Sequence, residues 1–263
     1  MEPGNEAMTR EFAEACTILR GTVGSTAHGL NLIGNDDLDE MGICIEPLEE
    51  VIKLEPPFEQ FIFRSATERT GKQDARSEVG DLDLTIFSLR KFCKLAASGN
   101  PTVLLMFFTP QISVKTKPGE ELLNMTNLFV SKEAGKRFLG YMHGQRLRLL
   151  GEKGQKRVKR PELEEKYGYD TKYAMHVLRL GIQGRELITT GKLTLPMEQQ
   201  HISFLMDVRH GKFTLDDIVR KAAFLEDRLE FDLQTSSLPD YSDRPAIEAW
   251  MQKVYLDTWK EPH

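Results

Sequence analysis

Asp37 and Asp39 stand one residue apart in "GNDDLDEMG", and Asp81 and Asp83 repeat that spacing in "GDLDLTIF". On extended backbone, residues two apart project to the same face, so each pair sets two carboxylates side by side. Like charges held together repel unless a cation neutralises them. A divalent metal is the natural neutraliser, and Mg2+ is usually held by one or two carboxylates with phosphates and waters completing its shell. Upstream, "GTVGSTAHG" puts Gly24 and Ser25 in a glycine turn, where backbone N–H groups and a hydroxyl can approach a phosphate closely. The combination suggests metal-assisted phosphate chemistry. Asp37 and Asp39 would hold the metal, and Asp83, on a neighbouring strand, would add the further carboxylate that a two-metal site needs.

Strands must position these acids. "MGICIEP", "FIFRSA" and "DLDLTIF" read as strands, and Ser88 caps a helix, "LRKFCKLAASG", closed by Gly99. Asn100 and Pro101 open the next helix. Before the glycine turn, Phe12, Ala15, Cys16 and Leu19 fall at helical spacing over Arg10 to Leu19, while Thr17 to Val23 reads alternatively as a strand. After Pro110 nearly everything has helical periodicity. The expectation is an α/β (α+β) protein, with the acids in residues 1–110 and a helical domain over 111–263.

Composition narrows the class. The chain has 263 residues, 40% apolar and 29% charged, which suits a globular protein with a proper core. It lacks an apolar run long enough to span a bilayer, and its start has no signal-peptide pattern, so a cytoplasmic location without membrane contact is expected. Cys16, Cys44 and Cys93 are odd in number and widely spaced, which argues against a disulfide framework or a zinc site. A net charge of −5 argues against a globally basic nucleic-acid coat.

Gly24-Ser25, then Asp37-x-Asp39, then Asp83 on a later strand resemble the nucleotidyltransferase superfamily typified by DNA polymerase beta. More narrowly, "GDLDLTIFSLRKFCKLAASGNPTVLLMFF" and "YGYDTKYAMHVLRLGIQGRELITTGKLTLP" resemble RlaP-type predicted nucleotidyltransferases, over about Arg20 to Leu229. The resemblance implies a polymerase-beta-like domain with a mixed sheet. It also implies Mg2+- or Mn2+-dependent transfer of a nucleoside monophosphate from a nucleoside triphosphate to a hydroxyl, with pyrophosphate leaving. It points to an RNA or tRNA end as acceptor and an RNA ligase as pathway partner. One departure is Asp36, where such proteins often carry serine. A protein or small-molecule hydroxyl is the alternative acceptor, and a non-catalytic nucleotide-binding module or a purely structural turn are the rivals from other classes.

Further residues are candidates beside bland readings. His176, in "YAMHVLRL", could contact a nucleotide phosphate or orient a carboxylate, and Lys172 could reach a phosphate. Arg64, ending a strand, is the best placed cation for the triphosphate. Arg69, Lys72, Arg76, Arg90 and Lys91 read better as solvated charges. His28 lies within the glycine turn, where most histidines are simply exposed. The run Arg146, Arg148, Lys153, Lys156, Arg157, Lys159 and Arg160 could follow an RNA backbone, although no aromatic residue interleaves it. Tyr167 and Tyr169 beyond it could stack on a base or pack between helices.

Overall fold

The computed structural model describes residues 9–31, 37–73, 75, 77–151 and 160–260. Asp36, Arg76, Lys153, Lys156, Arg157 and Lys159 lie outside them. The chain opens with α1 (Arg10–Ala15), β1 (Thr17–Thr22) and the short α2 (Gly24–His28), then β2 (Leu38–Cys44), α3 (Leu48–Ile52), β3 (Gln60–Arg64) and α4 (Ser65–Thr70). Next come β4 (Leu82–Ser88), α5 (Leu89–Ala97), α6 (Pro101–Leu104), β5 (Ile112–Lys115), α7 (Lys117–Asn124) and α8 (Thr126–Phe129). Helices complete the chain: α9 (Lys132–Leu149), α10 (Pro161–Tyr167), α11 (Thr171–Thr190), α12 (Gln199–Arg209), α13 (Leu215–Thr235) and α14 (Arg244–Lys260).

These elements form two compact units. The first takes Met1–Ala96, Leu105–Phe129 and Asp243–His263, and the second takes Ala97–Leu104 and Val130–Ser242. The units therefore do not divide in one cut after residue 110. Two interactions explain why. β5 pairs with β1 and extends the sheet, and α14 returns to the sheet through Tyr255 and Trp259.

The sheet has the order β3-β4-β2-β1-β5. β2 and β4 run parallel, while β1 with β2, β1 with β5, and β3 with β4 are antiparallel, so the sheet is mixed. The helical reading up to Leu19 gives way to the strand reading because α1 stops at Ala15 and Thr17 already pairs with Cys44. β-branched Thr17 and Ile18 favour that pleated surface. Ala13, Cys44, Leu84 and Ile86 form a buried cluster on one face, joined by Phe58, Phe61 and Phe63. In a strand, neighbours of opposite parity face the other way, which turns Asp39 and Asp83 to the opposite face.

At the far end of β2, Glu46 is 2% exposed. Its carboxylate accepts from Tyr255 Oη at 2.8 Å and Leu89 N at 3.3 Å, and Arg90 N donates to Tyr255 Oη at 3.1 Å. Lys91 N donates to Ser88 Oγ at 3.1 Å. Three of the N–H groups that open α5 thus find side-chain partners. Trp259 Nε1 adds a bond to Glu46 O at 3.1 Å. The same buried carboxyl fastens α5 and α14 to the sheet.

The second unit packs α11 against α9, α12 and α13. Phe138 and Met142 of α9 and Ala174, Val177, Leu178 and Leu187 of α11 are buried in its core. Gly184 lets these helices approach, since a Cβ there would stand 2.8 Å from Phe138 Cβ.

Burial raises Glu46 above its ordinary carboxylate value, against the opposing pull of its hydrogen bonds. A raised carboxyl contributes stability that is present below its unfolded pKa and lost as pH rises through the folded one. The melting temperature of the wild type relative to Glu46→Gln should therefore fall as pH rises above the ordinary carboxylate range of about 4. Tyr255→Phe, which leaves two polar partners short, should lose about 1–3 kcal/mol in denaturant titrations.

Candidate active site

Sheet register assembles the site. Asp39 pairs with Asp83 across the parallel β2/β4 ladder, and Arg64 pairs with Asp83 across β3/β4, so the three stand in one row. Asp37 precedes β2 and shares a face with Asp39. Asp37, Asp39 and Asp83 each offer a carboxylate oxygen, these oxygens lie within 4.8 Å of one another, and all three residues are half-buried. An all-oxygen, triply anionic set suits a hard divalent cation such as Mg2+ or Mn2+.

Gly24 and Ser25 begin α2 directly against this cluster. Val23 N donates to Asp39 O at 2.9 Å, which ties the start of α2 to β2. Gly24 has φ +66, and a Cβ there would overlap the Asp39 carboxylate. Glycine is needed twice over, for the left-handed backbone and for the acid's space. His28 closes α2 and is buried, not exposed as turn histidines usually are.

Asp81 is not part of the cluster. It accepts from Glu78 N at 2.7 Å and pairs with Arg69 Nη2 at 2.9 Å. Those two donors, the Glu78 N–H foremost, hold its carboxyl below the usual range. Arg69 also reaches Glu78 at 3.1 Å, consistent with a balanced surface charge.

Arg64 has a more particular set of partners than a triphosphate-binding arginine would need. Its Nε lies 3.3 Å and 3.2 Å from the two Asp83 carboxylate oxygens. Nη1 donates to Gln73 O at 3.0 Å, and Nη2 donates to Ala75 O and Ser77 Oγ, each at 3.1 Å. Ser77 Oγ in turn donates to Asp83 Oδ2 at 3.1 Å. The guanidinium and the hydroxyl fix the third carboxylate from one side. Ser77 carries no signal in the sequence, because a lone serine in a charged loop looks like any other.

The remaining candidates fall in the helical unit. Lys172 is an exposed residue of α11. His176, one turn on, lies 2.8 Å through Nδ1 from Arg179 Nη2. Within the basic run, Arg146 pairs with Glu226 at 3.0 Å and Arg160 with Asp170 at 3.0 Å. Tyr169 is 4% exposed and donates to Phe213 O at 2.7 Å, which is interhelical packing. A cavity of about 890 Å³ beside Phe12, Cys16, Glu46, Glu50 and Trp259 contains none of the three acids.

A mixed sheet that sets three carboxylates in one cluster beside a Gly-Ser helix start is the arrangement of a nucleotidyltransferase-like protein. The pattern of the RNA repair pathway DNA polymerase beta family, RlaP, matches residues 5–253, and the chain belongs to that family. No curated protein matches it. Among solved structures it is similar to a nucleotidyltransferase-like protein from Exiguobacterium sibiricum 255-15, at 12% identity and a TM-score of 0.30, over 94% of this chain and 77% of that one. No helix among the described residues is long and apolar enough to cross a membrane.

Gly24→Ala should destabilise the fold by about 1–2 kcal/mol through its left-handed backbone. It should also abolish the rise in melting temperature expected of the wild type with Mn2+. Gly140→Ala, where a Cβ meets nothing within 4 Å in mid-helix, should keep that rise.

Proposed function

We propose that the protein is a metal-dependent nucleotidyltransferase that moves a nucleoside monophosphate from a nucleoside triphosphate to a hydroxyl, and that this hydroxyl belongs to an RNA or tRNA end in RNA repair. The observation that carries the reading is the Asp37, Asp39 and Asp83 cluster with Gly24 abutting Asp39. Membership of a family described by RNA repair supports the choice of acceptor, and an RNA ligase acting on the same ends is the pathway partner this reading calls for.

In this reading Asp37 and Asp39 would hold Mg2+ or Mn2+ with the triphosphate, and Asp83 would serve a second ion. Such a cation, when bound, would supply neutralisation of charge on the phosphates and a lower pKa for the attacking hydroxyl. Gly24 and Ser25 offer backbone N–H groups and a hydroxyl to the terminal phosphates. Asp83 accepts the hydrogen bond of the acceptor hydroxyl and orients it. The acceptor oxygen bonds to the α-phosphorus as its proton passes to the Asp83 carboxylate and on to solvent, the bond from that phosphorus to the bridging oxygen breaks, and pyrophosphate leaves with the electron pair. Arg64 and Ser77 act through Asp83, holding it in the one orientation that serves the transfer.

Incubation with each α-labelled nucleoside triphosphate, Mg2+ and mixed RNA including tRNA tests the proposal. Label should appear on RNA and be absent with the Asp37→Ala, Asp39→Ala double variant. Label on protein or on a small molecule would move the acceptor. Triphosphate binding without transfer would make this a nucleotide-binding module, and no binding at all would end the reading. Within an active enzyme, Arg64→Lys should lower kcat roughly 10- to 100-fold, the range expected for a misplaced catalytic group. KM for the triphosphate should stay within about twofold, since positioning of Asp83 is felt in the transition state.

A further inference from the structure

Several arginines of the helical unit are matched with acids. Arg146 has Glu226, Arg160 has Asp170, and Arg185 has Asp232 at 2.7 Å. Arg179, in the middle of α11, has His176 instead, one turn earlier and 2.8 Å away. A guanidinium only donates, so His176 Nδ1 is the bare, accepting nitrogen and the ring proton sits on Nε2. Burial, reinforced by the neighbouring guanidinium, pushes His176 down to about 3, so the imidazole is neutral at physiological pH.

Arg179 is itself pulled down to about 10, and burial is the cause, with no carboxylate acting to raise it. Among the described residues of the helical unit no acid pairs with it. A desolvated cation without a counter-charge is costly to keep in a fold, and proteins retain such groups where a ligand supplies the missing charge. Arg179 as a whole residue is half-buried. The planar fork with one arm held by a neutral ring leaves its other donors in a fixed plane, which fits two oxygens of a phosphoryl group.

We infer that Arg179 is a phosphate-binding residue and that His176 is the positioning residue that presents its guanidinium to a phosphoryl group. The choice of phosphate rests on the proposed nucleotidyltransferase reading. The phosphoryl group comes from a nucleotide's phosphate tail or from an RNA backbone. Charge recognition thus belongs to Arg179, and His176 acts through it as an uncharged acceptor.

Thermal melting of the full chain with inorganic tripolyphosphate and a chelator, which silences the acidic cluster, tests this. The wild type should gain stability with tripolyphosphate, because a ligand that binds only the folded state raises its melting temperature. Arg179→Met should melt higher than the wild type without the anion and should lose the anion response. Arg179→Lys, charged but without the fork, should bind several-fold more weakly. His176→Gln should weaken binding beside Arg179 and do nothing further in the Arg179→Met background, the coupling that distinguishes positioning from general structure. An unchanged tripolyphosphate response in Arg179→Met overturns the inference, as does no response in the wild type. If Arg179→Met does not fold, an undiminished response in Arg179→Lys overturns it. Displacement of tripolyphosphate by ATP without metal assigns the site to the nucleotide, and displacement by a short RNA assigns it to the backbone. A transfer-active enzyme whose KM values for triphosphate and RNA survive Arg179→Met would sink this inference alone. An inactive enzyme that keeps the Arg179-dependent anion response would sink the transfer reading alone.

Discussion

Carboxylate oxygens of Asp37, Asp39 and Asp83 lie within 4.8 Å of one another. Their mutual repulsion favours any arrangement that separates them, so the surrounding structure must oppose it until a cation does. Much of the sheet-bearing unit can be understood from that constraint. The parallel β2/β4 ladder places Asp39 and Asp83 at one level, and such a ladder needs a crossover connection, which β3 and α4 help to fill. β3 then returns beside β4 and brings Arg64 to the same level. One positive charge is built in on the side of Asp83.

Rigidity at the other end of the same strands supports this. Glu46 lies seven residues beyond Asp39, and its carboxyl and carbonyl tie α5 and α14 to the end of β2. A buried acid that works through hydrogen bonds and an acid cluster that invites a metal thus occupy opposite ends of one strand. The difference lies in their surroundings. Glu46 is enclosed by donors and raised by burial, whereas the cluster is half-buried and open to a partner.

The site was more legible in the sequence than the fold around it. Asp37, Asp39, Asp83 and Gly24 follow from residue type and spacing, since alternation along a strand fixes which face an acid takes. Asn100 as a helix cap was equally readable, and its Oδ1 accepts from Thr102 N and Val103 N at 3.0 Å and 3.2 Å. The partners of Asp81 were not readable, because spacing cannot reveal that Arg69 and the Glu78 N–H engage it and not Asp83. β5 was hidden by its four-residue length among helical segments, and its existence depends on β1 offering an edge. The return of α14 rests on Tyr255 meeting Glu46 from 209 positions away, which no local pattern encodes. Arg179 was passed over for its neighbour His176, since charge alone does not show which cation lacks an acid.

The most direct test of the account is equilibrium binding of Mn2+ to the full chain, read from the loss of the free ion's paramagnetic signal, with and without a non-hydrolysable nucleoside triphosphate analogue. The account requires Mn2+ to bind the wild type, to bind more tightly when the analogue is present, and to be lost in both Asp39→Asn and Asp83→Asn. Mn2+ binding that is absent from the wild type, or that survives both substitutions unchanged, would contradict it.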